Sequence, residues 1–157
     1  TLGSLIVEPF SVSHDAADPI GINVFAGNDK ATIVTDTGVI SDDVLRRIDD
    51  TTLLVLEANY DPHMLRFGPY QSFLKQRVAS DEGHLSNEMA AQALLMMKRP
   101  DFMQVILAHR SENNNNAVLV TQTIGKMLVD GGVRIGPEMK LQHGQPNEIV
   151  SIQSVER

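Results

Sequence analysis

Two short stretches carry residues of the kind that do chemistry: Gly83-His84-Leu85-Ser86-Asn87, and Leu107-Ala108-His109-Arg110-Ser111. His84 stands just before the expected start of a helix, and His109 stands where an apolar run stops. Ser13-His14-Asp15 and Thr35-Asp36-Thr37-Gly38 occupy similar strand-end positions. Imidazole and carboxylate groups in loops at the ends of buried elements are what a metal centre needs, because loops there can converge from distant parts of a chain. Asp36 offers a hard anionic oxygen that two cations can share, which a neutral imidazole nitrogen cannot. A phosphate held by helix-start amides at Ser86 and Asn87 would lie within reach of His84 as general acid or base. Lys75 and Arg77 on the preceding helix, and Ser111 beyond His109, are further candidates for substrate contact. Glu57, at the end of the most apolar run, is placed to orient an imidazole.

Each of these residues also has a plainer reading. His14 with Asp15 makes an ordinary surface turn, Asp36 can initiate one, and His109 can be a satisfied structural histidine. His63 and His143 have no comparable setting and read as surface residues.

The elements that must position these groups follow from pattern. Ser4 to Phe10 has strand composition, and residues 20–26 alternate as a half-buried strand. Gly27-Asn28-Asp29 is a hairpin signal leading into a returning strand over 31–35. Ser41-Asp42-Asp43 caps a short helix to Ile48, with acids where the helix dipole favours them. Thr52 to Leu56 reads as a buried central strand. Helical turns are expected from Asp61-Pro62 and over 70–79. The clearest helix runs from Ser86 to Arg99, with Met89, Ala90, Ala93, Leu94 and Met97 on one face and Pro100 as its stop. Phe102 to Leu107 is a buried strand, 116–129 a helix closed by Gly131-Gly132, and short strands are expected near 133–135, 140–142 and 149–152. Asn113 to Asn116 reads as a polar loop and helix entry, or as phosphate-holding side chains. Strands first, then helices alternating with strands, give an α/β layered domain.

Composition bounds the function. A chain of 157 residues with 42% hydrophobic and 21% charged residues is ordinary for a globular domain. Only 4% are aromatic, which argues against a base-stacking platform of the RRM or OB type. The net charge of -7 argues against a general basic surface for nucleic acid, though a metal can supply positive charge locally. With no cysteine, a metal must be held by His and carboxylate. A reducing cytoplasm is compatible with that. No apolar stretch approaches the roughly 18 residues that cross a bilayer. The chain opens without Met directly into Leu5-Ile6-Val7, which reads as a piece of something longer.

Taken together, Ser-His-Asp-Ala-Ala-Asp-Pro-Ile-Gly, Thr-Asp-Thr-Gly, Leu-Val-Leu-Glu-Ala-Asn, Gly-Pro-Tyr with Leu-Lys-Gln-Arg, Gly-His-Leu-Ser-Asn and Leu-Ala-His-Arg-Ser-Glu-Asn-Asn resemble the metallo-β-lactamase superfamily. The resemblance is to its bacterial YycJ/WalJ-like branch, related to ribonucleases Z and J, and covers residues 5–130. It implies an αββα sandwich, of which this chain would be the carboxy-terminal half: a mixed sheet with helices on one face. It implies two divalent metal ions, zinc or manganese, with His14, Asp36 and His109 as ligands and Asp36 bridging. His84 is similar to the family's non-ligand histidine near the scissile phosphate, and Glu57 to the strand-end glutamate that supports it. The activity implied is a phosphodiesterase, for this branch a DNA exonuclease.

The sequence departs from the family in lacking H-x-H-x-D-H, which belongs to an amino-terminal half. Tyr60 also stands where relatives often have His. The chain alone is therefore expected to be inactive, to hold one metal or none, and to self-associate through uncovered apolar surface. The rival readings are a superfamily hydrolase of a small ester, thioester or lactam, and a non-catalytic interaction module.

Overall fold

The computed structural model describes residues 3–152. Its centre is one six-stranded sheet in sequential order, with strands β1 (Ile6–Ser11), β2 (Ile20–Ala26), β3 (Asp29–Val34), β4 (Leu53–Glu57), β5 (Met103–Ala108) and β6 (Met139–His143). The β1–β2 and β2–β3 pairings are antiparallel, and β3–β4, β4–β5 and β5–β6 are parallel. The switch follows from the connections. Gly27, at φ 60°, begins a two-residue loop between paired Ala26 and Asp29, whereas parallel neighbours need long crossovers. Helix α1 (Asp42–Ile48) joins β3 to β4, and α5 (Ala117–Asp130) joins β5 to β6. Three helices, α2 (Pro62–Phe67), α3 (Ser72–Val78) and α4 (Asn87–Met96), lie between β4 and β5.

The two faces of the sheet differ. On one, Val34, Leu54, Leu56, Val105 and Leu107 pack with Val44 and Ile48 of α1, Leu94 of α4, and Ile124 and Leu128 of α5 in a single core. Each fully buried Leu or Ile there contributes about 1.5–3 kcal/mol. The opposite face, fixed by the pleat and the register, carries Val7, Ile22, Val24, Ile33, Val55 and Ile106. None of these belongs to the core, and Ile33 is 43% exposed. This is the mixed sheet with helices on one face that the sequence predicts.

Local signals explain most helix ends. Ser41, Asp61, Ser86 and Asn116 each accept an amide hydrogen bond as N-cap, leaving fewer unsatisfied donors in the first turn. Helix α4 stops at Met96, three residues before the expected end. The Arg99 guanidinium turns back to donate to the Leu94 and Leu95 carbonyls, and Lys98 pairs its amide with Asp49.

Other expectations are corrected. Residues 149–152 form no strand: the segment meets the edge strand β6 through a side chain, Gln142 Nε2 donating to the Ser151 carbonyl, and Ile149 is 96% exposed. Around 133–135 there is only an isolated bridge from Ile135 to Met139. His143 is half-buried in β6 and bonded to Thr121, so it is not a plain surface residue. Asn114 and Asn115 are buried: Asn115 Nδ2 donates to the Ala58 and Asn59 carbonyls and to Asn87, and the Asn114 carbonyl accepts from the Asp61 amide. The asparagine run is internal adhesive joining the end of β4 to α4 and α5. Among the described residues no helix is long and apolar enough to cross a membrane.

Candidate metal centre

Strand direction brings the predicted residues to one edge. β1 runs parallel to β3 because both are antiparallel to β2, and β3, β4 and β5 run together. The residues that follow the carboxyl ends of β1, β3 and β5 therefore converge with the end of β4, which delivers His14, Asp36, His109 and Glu57 to a common site. His84 arrives from the loop between α3 and α4. Asp36 and His109 both take left-handed backbone conformations, φ 55° and 52°, which re-aim their side chains at the strand ends. Asp and His tolerate this region better than most residues, yet it still costs on the order of 1 kcal/mol.

Close packing holds the loops. A β-carbon on Gly83 would strike the Arg77 and Val78 carbonyls, and one on Gly38 would strike the backbone at Ser80 and Asp81. The loops bearing His84 and Asp36 come that near to the end of α3. The Gly38 amide donates to the Ser13 carbonyl and the Asp15 amide to that of Glu82, tying the His14, Asp36 and His84 loops together.

The hydrogen bonds fix the imidazole tautomers. His14 Nδ1 lies 3.0 Å from the Gly83 carbonyl, which only accepts, so Nδ1 carries the proton. His84 Nδ1 and His109 Nδ1 lie 2.7 and 2.9 Å from the same oxygen, Glu57 Oε1. The other oxygen, Oε2, accepts the Thr37 amide at 3.0 Å. Burial of this fully enclosed carboxyl favours its neutral form, but the bonds from His109, His84 and Thr37 outweigh that and leave its pKa below the ordinary value. Ionised Glu57 is an acceptor only, so both imidazoles donate through Nδ1.

With Nδ1 as the donor, the neutral form of each ring has a bare Nε2. His14 Nε2 lies 3.8 Å and His109 Nε2 3.6 Å from Asp36 Oδ1, and in the neutral rings neither nitrogen has a proton to share. Two ligand atoms around one tetrahedral zinc ion, each bound at about 2.0–2.1 Å, are separated by roughly 3.3 Å. Lone pairs facing an anionic oxygen at this spacing repel one another unless a cation lies between them. The donor set fits a divalent ion. Among the described residues, two groups have ligand atoms within 4.8 Å of one another: His14, Asp36 and His84, and Glu57, His84 and His109. Hydrogen bonding to Glu57 raises the His109 pKa against the effect of burial, so in the absence of metal a proton competes for its Nε2.

The remaining predicted residues divide. Glu57 is enclosed, bonded to His84, His109 and the Thr37 amide, so it holds the two rings and turns no face to solvent. Arg77 pairs through Nε and Nη2 with Asp15, whose carboxyl is held below its usual range chiefly by that bond; Asp15 in turn lies 3.6 Å from His14 Nε2. The Ser86 hydroxyl caps α4. Asn87 offers substrate no side-chain atom, being fully buried with its amide bound to Asn115. Ser111 Oγ accepts from the Asn114 amide. Lys75 donates to the Arg66 carbonyl from the wall of a separate pocket. Sequence reasoning missed Thr37, whose amide fixes Glu57, and Asn115; only Gly38 and Gly83, flanking the ligand loops, hinted at how tightly these segments pack.

No protein-family model matches the chain. It is 36% identical over 155 residues to the exodeoxyribonuclease YycJ of Bacillus anthracis, an alignment covering 99% of this chain and 59% of that protein. It is 33% identical over 147 residues to the exodeoxyribonuclease WalJ of Streptococcus pneumoniae, covering 94% and 55%. The chain thus spans a little over half the length of these curated relatives. Among solved structures it resembles the metallo-β-lactamase fold protein YhfI of Bacillus subtilis, with TM-score 0.63 and 12% identity over 92% of this chain and 48% of that one. It also resembles zinc-bound PqqB of Methylobacterium extorquens, with TM-score 0.54 and 17% identity over 90% and 46%.

Proposed function

The chain belongs to the metallo-β-lactamase fold superfamily as a YycJ/WalJ-like protein, and on that premise we propose that it is the carboxy-terminal half of a metal-dependent phosphodiesterase that degrades DNA in the cytoplasm. The observation that carries this reading is the shared donor set: bare Nε2 atoms of His14 and His109 on either side of Asp36 Oδ1.

In this mechanism His14, Asp36 and His109 would hold divalent metal, zinc or manganese. When bound, the metal supplies an activated water and charge stabilisation at the phosphate oxygens. Glu57 keeps the His84 and His109 rings in one tautomer and one orientation. His84, with Nδ1–H donated to Glu57, presents Nε2 to the scissile phosphate. In the imidazolium form it donates a proton from Nε2 to the leaving oxygen, while the buried anion stabilises its positive charge. The Gly83 carbonyl and the Asp15–Arg77 pair hold the His14 loop.

An amino-terminal half supplies the other ligands and covers the exposed apolar face of the sheet. The length of the relatives and the position of the site at the rim of that face support this arrangement. In its absence the chain is inactive and associates with itself through the same face.

The test is metal stoichiometry by elemental analysis after equilibration with zinc or manganese, on the chain and its Asp36→Ala variant, together with cleavage of single-stranded DNA by the whole protein. Metal that is lost in the variant, with DNA cleavage that vanishes alongside it, is the expected result. Equal metal content and equal cleavage in both would refute the assignment of Asp36.

A further inference from the structure

Two carboxylates, not one, stand beside the outward nitrogen of His14. Asp36 Oδ1 lies 3.8 Å from His14 Nε2, and Asp15 Oδ1 lies 3.6 Å from it. Both distances are near the roughly 3.3 Å that separates two ligand atoms of one tetrahedral zinc ion. On distance alone Asp15 is as well placed to bind metal as Asp36. The two differ in what else holds them. Arg77 donates from Nη2 to Asp15 Oδ1 at 2.9 Å and from Nε to Oδ2, the two-point grip of a guanidinium on a carboxylate. Among the described residues no lysine or arginine pairs with Asp36, whose second close contact is His109 Nε2.

Both members of the pair are fixed through their backbones. The Asp15 amide donates to the Glu82 carbonyl, in the loop that carries His84. The Arg77 carbonyl accepts from the amide and the hydroxyl of Ser80, and a β-carbon on Gly83 would strike it. The end of α3 therefore delivers the guanidinium to the His14 loop in one place. Charge gives the pairing a consequence. Asp15 and Arg77 together sum to zero, whereas a free Asp15 would add one negative charge and one donor oxygen to a centre that already holds Asp36. Hard cations bind more tightly as the charge of their ligands grows, and a catalytic ion must keep a position for water. A carboxylate at that position would tighten the metal and shut the water out.

We propose that Arg77 withholds the Asp15 carboxylate from the metal at His14, so that the centre keeps a coordination position open. Arg77 is then a positioning residue that acts through Asp15. This rests on the metal reading of His14 and Asp36, and adds to it a device that limits how many protein ligands the ion takes.

The experiment uses the whole protein with cobalt(II) as the probe. It reads affinity by competition with a chelator, and coordination by the visible absorption of the bound cobalt, which weakens as ligands are added beyond four. Arg77→Gln should bind cobalt roughly tenfold more tightly, with weaker absorption and slower DNA cleavage. Asp15→Asn leaves the Arg77 charge unopposed beside the ion and should bind it more weakly. The double variant should return affinity, spectrum and cleavage to near the wild-type values. If the pair only braced the His14 loop, both single variants would lose metal and the double would not recover it, which would overturn the inference. Tighter binding with an unchanged spectrum would overturn it too, because Asp15 would then act through space and not as a ligand. Should Arg77→Gln fail to fold by circular dichroism, Arg77→Lys keeps the charge but not the two-point grip, and its cobalt spectrum should move the same way; an unmoved one refutes the proposal. Asp36→Ala separates the two readings. Metal lost there, with Arg77→Gln like wild type, sinks only the role of Arg77, whereas metal unchanged in Asp36→Ala sinks the assignment of the centre itself.

Discussion

Glu57→Gln is the substitution that probes the centre most directly, because one of the two carboxylate oxygens holds two imidazoles. Oε1 accepts Nδ1–H from His84 at 2.7 Å and from His109 at 2.9 Å, while Oε2 accepts the Thr37 amide. Glutamine has the same shape but only one accepting oxygen. If that oxygen faces the rings, its NH2 group opposes the Thr37 amide. If it faces Thr37, the NH2 opposes two ring N–H groups and drives their protons onto Nε2, where the metal should bind. A charge-assisted hydrogen bond is worth about 1 kcal/mol more than a neutral one, so two of them amount to about 2 kcal/mol. That is roughly a thirtyfold loss of metal affinity, within the range of about 10–100-fold typical of groups that orient a ligand.

The assay is competition with a chromophoric chelator in the whole protein, alongside an NMR titration of the histidines in the metal-free chain. In the wild type, hydrogen bonding to Glu57 raises the His109 pKa above 6.5. A pKa raised on folding gives stability that is fully present below the unfolded value and is lost as pH rises through the folded one. Metal competes with that proton, so affinity should climb with pH over the same window. In Glu57→Gln the His109 midpoint should fall and the window should move to lower pH. Unchanged metal affinity together with an unchanged His109 midpoint would refute the shared-acceptor argument.

Three further outcomes follow from the fold. Asn115→Leu removes the donor to the Ala58 and Asn59 carbonyls and to Asn87, and should lower unfolding stability by about 2–4 kcal/mol in urea melts; a change under about 0.5 kcal/mol would mean that the loop is not adhesive. Gly83→Ala drives a methyl group into the Arg77 and Val78 carbonyls, so it should destabilise the chain by about 1–3 kcal/mol and displace His84, read as a shifted His84 resonance alongside the melt. Ile33→Lys, on the uncovered sheet face, should reduce self-association of the isolated chain in sedimentation without lowering its melting point; undiminished association would place the contact elsewhere.

What the sequence disclosed depended on how local the cause was. The Ser41 cap, the Gly27-Asn28 turn and the apolar run into Glu57 act over a few residues, and the structure has all three where pattern places them. That the candidate ligands share one edge was legible for a related reason: a polar residue after a buried strand has little choice but the strand's edge. Burial imposed from a distance was not legible. Nothing near Asn114 or Asn115 distinguishes a loop that packs under three elements from one in water, and Asn87 at a helix start looks equally free. The end of α4 was misjudged because Arg99 and Asp49 shorten it, and Asp49 lies some fifty residues away. The tail at 149–152 has the composition of a strand but meets the edge strand β6 only through the Gln142 side chain, and composition does not report whether a backbone ladder forms.

The left-handed backbone at Asp36 and His109 sets stability against function at those two places. Glycine would adopt either conformation without penalty, and at φ near 55° it should release about 1 kcal/mol of strain. It would also delete a proposed ligand. A library selected only for heat resistance should therefore drift to glycine or asparagine at both positions and return well-folded proteins that bind no metal, whereas one selected for DNA cleavage should keep the strained pair. Asp50 and Asn147 share the left-handed conformation, but at Asp36 and His109 it accompanies a side chain that the proposed metal centre needs, so only there would easier folding be gained at the expense of the proposed chemistry.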